Sequence, residues 1–375
     1  MRPMKLSQVN LYQLAMPLVT PFVTSYGVMK EKPFYLVEVV EENGQKGYGE
    51  LEAFAVPDYT EETSETAYLI LKHHLLPLLK GEDIQHPREI KERFSSIRGN
   101  EMAKAAIESA IWDLYGKCKH RSLASLLGGS RQLIDVGVSI GIQENTETLL
   151  ELVSKYVDAG YTRVKLKIKP GFDKEPIQAI RERYPNLTLM ADANSAYTRS
   201  DIKLIKELDR YQLAMIEQPF GVRDFLDHAW LQNQVQTRIC LDENIRSLSD
   251  VQLAVALGSC KAVNLKFSRV GGLTEALEII SYCDQEDLLV WCGGMLEAGV
   301  GRAHNLALAS RSEFRFPGDI SQTSRYFESD IVTTDFSFKE GTMSVPQGFG
   351  IGVAINFEQV DKFLIQKETL FLSDK

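Results

Sequence analysis

Asp192, Glu217, Asp242, Lys266 and Trp291 fall 25, 25, 24 and 25 residues apart. Each lies in a short apolar or β-branched run, and amphipathic helical stretches separate the runs. They are DVGVSI (135–140), RVKLKI (163–168), LTLMADAN (187–194), LAMIEQP (213–219), RICLDE (238–243), KAVNLKF (261–267), LLVWCGG (288–294) and a weaker FRFPGDI (314–320). Alternating β and α with short links implies a parallel sheet. A near-constant period that marks the same strand position each time implies a repeated βα unit, and eight such units make a (β/α)8-type barrel. A doubly wound open sheet is the alternative, but no Gly-rich fingerprint follows the first run to support it. Thr198 with Asp201, and Ser247 with Asp250, read as helix N-caps between runs.

The first ~130 residues follow a different pattern. Residues 34–40 and 46–50 read as strands, and Asn43-Gly44 between them predicts a two-residue type I′ hairpin. Residues 62–80 and 101–116 read as helices. This is an α+β module, taken as 1–130, ahead of a barrel taken as 131–344. The run VPQGFGIGVAI near the C-terminus is Gly-rich and strand-like but breaks the βα period. It is expected to return, within 345–375, to the N-terminal module.

Composition narrows the partners. A net charge of -9 repels phosphate backbones, so nucleic acid is not expected. No apolar run approaches the ~20 residues of a membrane span, and the N-terminus has no signal-peptide core. Cys118, Cys240, Cys260, Cys283 and Cys292 are widely spaced, with no CxxC pair. Reduced thiols in the cytoplasm are the default expectation. A closed homo-oligomer is the prior expectation for the assembly.

In a βα barrel the chemistry sits where strands end. Lys165 and Lys167 end the second run, Asp192 and Asn194 the third, Glu217 the fourth, Asp242 and Glu243 the fifth, and Asn264 and Lys266 the sixth. Side chains two apart share a strand face, so Lys165 and Lys167 point one way. Asp192, Glu217 and Asp242 converge on one rim, where three like charges repel unless a cation joins them. An all-oxygen set without His or Cys suits a hard divalent ion, Mg²⁺ or else Mn²⁺. Two neighbouring lysines are expected to lower each other's pKa, making Lys167 a candidate base tuned by Lys165. Lys266 stands across the ring. A cation gripping a carboxylate with a base on each side suits proton abstraction next to that carboxylate, through an enediolate.

These residues resemble a known family. Lys165-Leu-Lys167, Asp192-Ala-Asn194, Glu217-Gln-Pro219, Leu241-Asp242-Glu243 and Asn264-Leu-Lys266 look like the muconate-lactonizing-enzyme subgroup of the enolase superfamily. The stretches 17–27, 106–117, 136–142, 164–171, 268–272, 291–303 and 316–321 resemble its branch of o-succinylbenzoate synthases and N-succinylamino acid racemases. The resemblance covers nearly the whole chain. It implies an α/β fold, a modified (β/α)7β TIM-type barrel with an α+β capping domain built from both chain ends. It implies metal ligands at Asp192, Glu217 and Asp242, a base at Lys167 after Lys165, and the opposite lysine at Lys266. Its implied reaction is an Mg²⁺-dependent syn-dehydration that forms o-succinylbenzoate in menaquinone biosynthesis. Its alternative is racemisation of N-succinylamino acids, in which the two lysines exchange roles.

Further residues are candidates for binding a small carboxylate substrate. Ser139 either meets a succinyl carbonyl or caps a loop. Phe22 and Tyr26 either close over the substrate or pack the cap. Asn194 lies at the rim. Gly294, Met295 and Leu296 offer backbone N–H groups and an apolar wall. Arg269 either polarises Lys266 or reaches a carboxylate. Glu297 is expected to pair with Arg302. Two departures stand out: Lys266 is followed by Phe267-Ser268 in place of Pro-Gly, and Pro317-Gly318-Asp319 stands where dipeptide epimerases carry Asp-x-Asp. A barrel retained as a non-catalytic scaffold and a Schiff-base aldolase are competing readings; the first predicts loss of a lysine or carboxylate, and the second needs no carboxylate trio.

Overall fold

The computed structural model describes residues 2–23 and 27–372. Seven barrel strands, Val138–Ile140, Arg163–Lys167, Thr188–Asp192, Met215–Glu217, Arg238–Leu241, Ala262–Leu265 and Leu289–Cys292, form one curled sheet in chain order. Every neighbouring pair is parallel. The period of two sorts their side chains. Leu166, Leu189, Ile216, Ile239 and Val263 join the core with the surrounding helices. Met190, Met215, Cys240, Ala262 and Trp291 form a separate apolar plug. Two residues further along the same faces stand Asp192, Glu217, Asp242 and Asn264, so the polar rim rests on that plug. The capping expectations hold: Thr198 and Asp201 form a capping box, and the Ser247 side chain accepts from the Asp250 N–H.

The eighth run is not a strand. Pro317 has no N–H for a ladder, so only a short segment pairs. Gly318 N–H donates to Asp135 O at 3.2 Å, Gly137 N–H to Gly318 O at 2.9 Å, and Asp319 N–H to Cys292 O at 2.9 Å. Residues 317–319 thereby close the gap between the first and seventh strands. The result is an α/β fold with a (β/α)7β barrel beside a separate N-terminal sheet.

That sheet is antiparallel, in the order Leu364–Phe371, Met4–Val23, Val28–Glu41, Lys46–Leu51. The chain does return to the N-terminal module, through Leu364–Phe371 paired with Gln8–Leu14. The Gly-rich run before it is not a strand: Gly350 and Gly352 take positive φ, and Gly350 makes only an isolated bridge to Ser122. Its backbone is held by Asp113, whose Oδ1 accepts from Ile351 N–H at 2.8 Å. The hairpin also differs from expectation. Gly44 has φ +87 while Asn43 does not enter the left-handed region. A three-residue loop ending in a left-handed glycine replaces the type I′ turn, closed by Glu41 N–H to Gln45 O at 2.9 Å.

The helix expected at 62–80 begins at Ser64 and passes through a π turn and a 3-10 turn before Leu79, where Pro77 interrupts its hydrogen bonding. The second, Glu101–Cys118, packs along Lys46–Leu51. Among the described residues no helix is long and apolar enough to cross a membrane.

Candidate active site

At the strand ends the polar residues form one buried ring. In register, Lys167 stands beside Asp192, and Asp192 beside Glu217. Lys167 Nζ donates to Asp192 Oδ2 and to Asn194 Oδ1, both at 2.6 Å. Lys165 Nζ lies 3.1 Å from Glu217 Oε2, 3.3 Å from Asp192 Oδ2 and 2.5 Å from Asp319 Oδ2. It also sits 5.1 Å from the centroid of the Trp291 ring in the plug below. Across the ring, Lys266 Nζ donates to Asp242 Oδ2 and to Tyr59 Oη, each at 2.8 Å. Asn264 Nδ2 donates to Glu217 Oε1 at 2.7 Å, and Asn194 Nδ2 to Glu243 Oε1 at 2.9 Å.

These charges are out of water, so each is set by its neighbours. Burial, then the Asp192 charge, pushes Glu217 up to about 8 against the pull of Lys165. Burial with the charges of Asp242 and Asp192 pushes Glu243 up to about 7. Burial opposes ionisation of Asp192 as well, but Lys167 and Lys165 outweigh it and hold its pKa below the usual range. The expectation that the lysine pair depresses its own pKa fails for Lys165. Burial acts in that direction, yet Asp319, Glu217 and Asp192 overcome it and hold Lys165 well above its ordinary value. Asp242 and Tyr59 do the same for Lys266. The decisive partner of Lys165 is Asp319, which the closing segment 317–319 delivers.

The three carboxylates share the rim, but their oxygens face ammonium and guanidinium groups. Among the described residues no three carboxylate, imidazole or thiolate groups close on one another as a ready cage. The donor set still suits a hard cation: it is all oxygen, it is buried, and Glu217 is short of compensating positive charge.

A cavity opens above the ring. Lys165, Lys167, Asn194, Lys266, Ser139 and Phe22 line it, joined by Gly294, Met295 and Leu296 from the loop after the seventh strand. Tyr26 lies outside the described residues. The Ser139 hydroxyl is buried without a hydrogen-bond partner. A Cβ on Gly294 would come 2.3 Å from Asp319 O, so the close approach of the seventh strand to segment 317–319 requires glycine. Leu296 holds φ +62, and Asn194, Ser195 and Gln218 also lie in the left-handed region. Non-glycine residues avoid that region, and such strain collects where a structure over-determines its loops.

Two expectations need correction. Arg269 does not line the cavity. It is 2% exposed and lies behind Asp242, donating to Asp242 Oδ1 and Tyr59 Oη, with Nη2 on Asn264 O at 3.0 Å. It reaches a carboxylate, and that carboxylate is the one Lys266 holds. Glu297 does not pair with the Arg302 guanidinium through its carboxylate. It accepts from Met295 N–H at 2.7 Å and Asn305 Nδ2 at 2.8 Å, while Arg302 pairs with Asp330 at 2.7 Å. Glu297 therefore braces the cavity loop. Tyr59, Phe54, Tyr326 and Asp319 also line the cavity and are not among the site residues that the sequence suggests. Asp319 had a signal, since it lies next to the end of the eighth run. The other three come from loops with no periodicity to mark them.

Known proteins carry the same architecture. Residues 148–360 match the family model "Enolase C-terminal domain-like", and residues 7–128 match "Mandelate racemase / muconate lactonizing enzyme, N-terminal domain". An o-succinylbenzoate synthase of Listeria innocua is 56% identical over 99% of this chain and 99% of its own length. An N-succinylamino acid racemase of Thermus thermophilus is 43% identical over 96% of this chain and 97% of its own. A crystal structure of an enolase-superfamily member from Listeria innocua superposes with TM-score 0.97 at 57% identity, covering 98% of this chain and all of that one. Matches of this extent, over both parts of the chain, establish that it belongs to the mandelate racemase / muconate lactonizing enzyme family of the enolase superfamily.

Proposed function

We propose that this chain is a lyase that forms o-succinylbenzoate by syn-dehydration of a succinyl-hydroxycyclohexadiene carboxylate, and that the same site can racemise N-succinylamino acids. The observation that carries this reading is the placement of Lys167 and Lys266 on opposite sides of a buried, oxygen-only carboxylate rim. The relatives of both names, similar over almost their whole length, support it.

In the dehydration Lys167 removes the proton next to the substrate carboxylate. The electron pair forms the new double bond as the C–O bond breaks. The same ammonium then returns its proton to the departing hydroxide, so that water leaves from the face that lost the proton. Lys266 remains a cation throughout, which its contacts with Asp242 and Tyr59 favour. In racemisation Lys167 and Lys266 work on opposite faces, one removing the α-proton and the other supplying it. Asp192, Glu217 and Asp242 would hold a divalent cation, Mg²⁺ or Mn²⁺, which supplies positive charge to the reacting carboxylate. Residues 131–344 carry the chemistry in this reading, and 1–130 with 345–375 cap it. In this reading the protein is a cytoplasmic homo-oligomer that acts on a small carboxylate substrate.

Purified protein with Mg²⁺ is expected to convert the dehydration substrate with rising o-succinylbenzoate absorbance, and to racemise an N-succinylamino acid by polarimetry. Turnover of neither substrate would reject the reading. Racemisation without dehydration would reverse the ranking of the two activities.

A further inference from the structure

The cavity over the lysines has a volume of ≈ 60 Å³. That is room for a reacting carbon and its carboxylate, well below the roughly 300–1,000 Å³ of sites that enclose a whole ligand. The remainder of the substrate must extend into an adjoining space, and three such spaces share its walls. The first shares Phe22, Phe54 and Leu296, measures ≈ 90 Å³, is mainly apolar, and has Asp58 as its charged lining residue. The second shares Tyr59 and Asn194 and measures ≈ 520 Å³, but Asp58, Glu61 and Glu243 line it. Its two arginines, Arg223 and Arg246, both pair with Glu61, at 2.8 and 2.7 Å. The third shares Phe22 and Tyr326 and measures ≈ 400 Å³. Lys155 and Arg325 line it, and among the described residues no carboxylate does.

Arg325 is fixed yet lacks an anion. Its Nη2 donates to the carbonyl of Ser139 at 3.2 Å, the residue whose unpartnered hydroxyl faces the lysine cavity. Its guanidinium lies 5.3 Å from the Tyr156 ring and 5.5 Å from the Tyr326 ring. Its Nε is buried without a hydrogen-bond partner, and among the described residues no carboxylate pairs with it. A held guanidinium with spare donors, on a wall without acids, selects a carboxylate. Phe22 and Tyr326 pack edge to face at 6.4 Å, where the two spaces meet.

We infer that Arg325, with Lys155 at the outer wall, forms a second anion subsite that binds the distal carboxylate of the substrate's succinyl chain. This rests on the function proposed above, because both substrates carry that carboxylate at the end of a succinyl chain, besides the carboxylate at the reacting carbon. The chain would run from the lysines, past the Ser139 hydroxyl, to Arg325. One subsite then explains how a dehydration substrate and an N-succinylamino acid can use the same cavity.

The test compares an N-succinylamino acid with its N-succinamoyl analogue, in which a carboxamide replaces only the distal carboxylate. Binding is measured by calorimetry and turnover by racemisation, both with Mg²⁺. The wild-type protein is expected to favour the succinyl compound by about 10- to 100-fold, the range for a hydrogen bond to a charged group. Arg325→Met is expected to bring the ratio near one, mainly through KM for the succinyl compound. Arg325→Lys keeps part of the preference, which a merely structural role would not produce. A wild-type ratio near one, or an unchanged ratio in both variants, would overturn the subsite while leaving the proposed function standing. Selective binding without turnover would overturn the function and keep the subsite.

Discussion

Lys167 and Lys266 differ in their partners more than in their position. Lys167 holds Asp192 and Asn194, whereas Lys266 is held by Asp242 and Tyr59, with Arg269 pressed on the same carboxylate. Substitution of each lysine is therefore expected to have separable effects. Lys167→Ala and Lys266→Ala should each abolish racemisation, a loss of at least about 10³-fold for a positioned acid–base group. In D₂O each variant should retain, at most, exchange of the α-proton of one enantiomer, followed by proton NMR. Interconversion of both enantiomers by Lys266→Ala at the wild-type rate would exclude a two-base site. Asp319 belongs at this scale too. Removing it leaves Lys165 and Arg163 buried without their shared carboxylate, and Asp319→Ala should cost about 3 kcal/mol in urea denaturation.

At the scale of elements, acidic side chains tie the N-terminal module to the barrel through helix N-termini. Glu50, on the strand Lys46–Leu51, accepts from Ala298 N–H at 2.7 Å and Gly301 N–H at 2.8 Å, at the start of the helix Gly299–Ala309. Glu108, on the helix Glu101–Cys118, accepts from Leu273 N–H at 2.8 Å and Thr274 N–H at 2.9 Å, opening the helix Leu273–Gln285. Orphan N–H groups at a helix start favour such a partner. Burial pushes Glu108 up to about 7, despite the bonds from Thr274 and Leu273. A raised carboxyl stabilises the fold most below its unfolded value of ~4.3, and that contribution is lost as pH rises through about 7. Glu108→Ala is accordingly expected to cost about 1–2 kcal/mol near pH 5 and less at pH 8, by thermal denaturation at both values. An equal cost at both would show that Glu108 stays ionised.

At the scale of the whole molecule, the N-terminal module and the barrel line one cavity together. The N-terminal module contributes Tyr59, Phe22 and Phe54 to the cavity, and the barrel contributes the lysines and Asp319. A bound divalent cation would offset the burial and the Asp192 charge that push Glu217 up, so it should stabilise the fold as well as support activity. EDTA is expected to abolish turnover, with Mg²⁺ restoring it. Mg²⁺ at about 100 times its Kd should add roughly 2.7 kcal/mol, seen as a rise of several degrees in Tm. Full activity in metal-free protein, or a Tm indifferent to Mg²⁺, would reject a cation at this rim.

The sequence by itself determined the barrel and the identity of its rim. The period of 24–25 residues marks one strand position repeatedly, and the period of two puts Lys165, Lys167, Asp192 and Glu217 on inner faces. Those are local regularities, so a linear pattern carries them. What the tertiary structure decided lies where regularity stops. Pro317 shortens the eighth run to a bridge, and that bridge places Asp319 against Lys165, reversing the expected direction of its pKa. Arg269, in the loop just beyond Lys266, folds behind Asp242 instead of facing the cavity. Tyr59 reaches Lys266 across 207 positions of sequence, from a cap loop without periodicity. Charges in a buried ring are set by whichever groups the fold brings within a few ångströms, and chain separation says nothing about that distance.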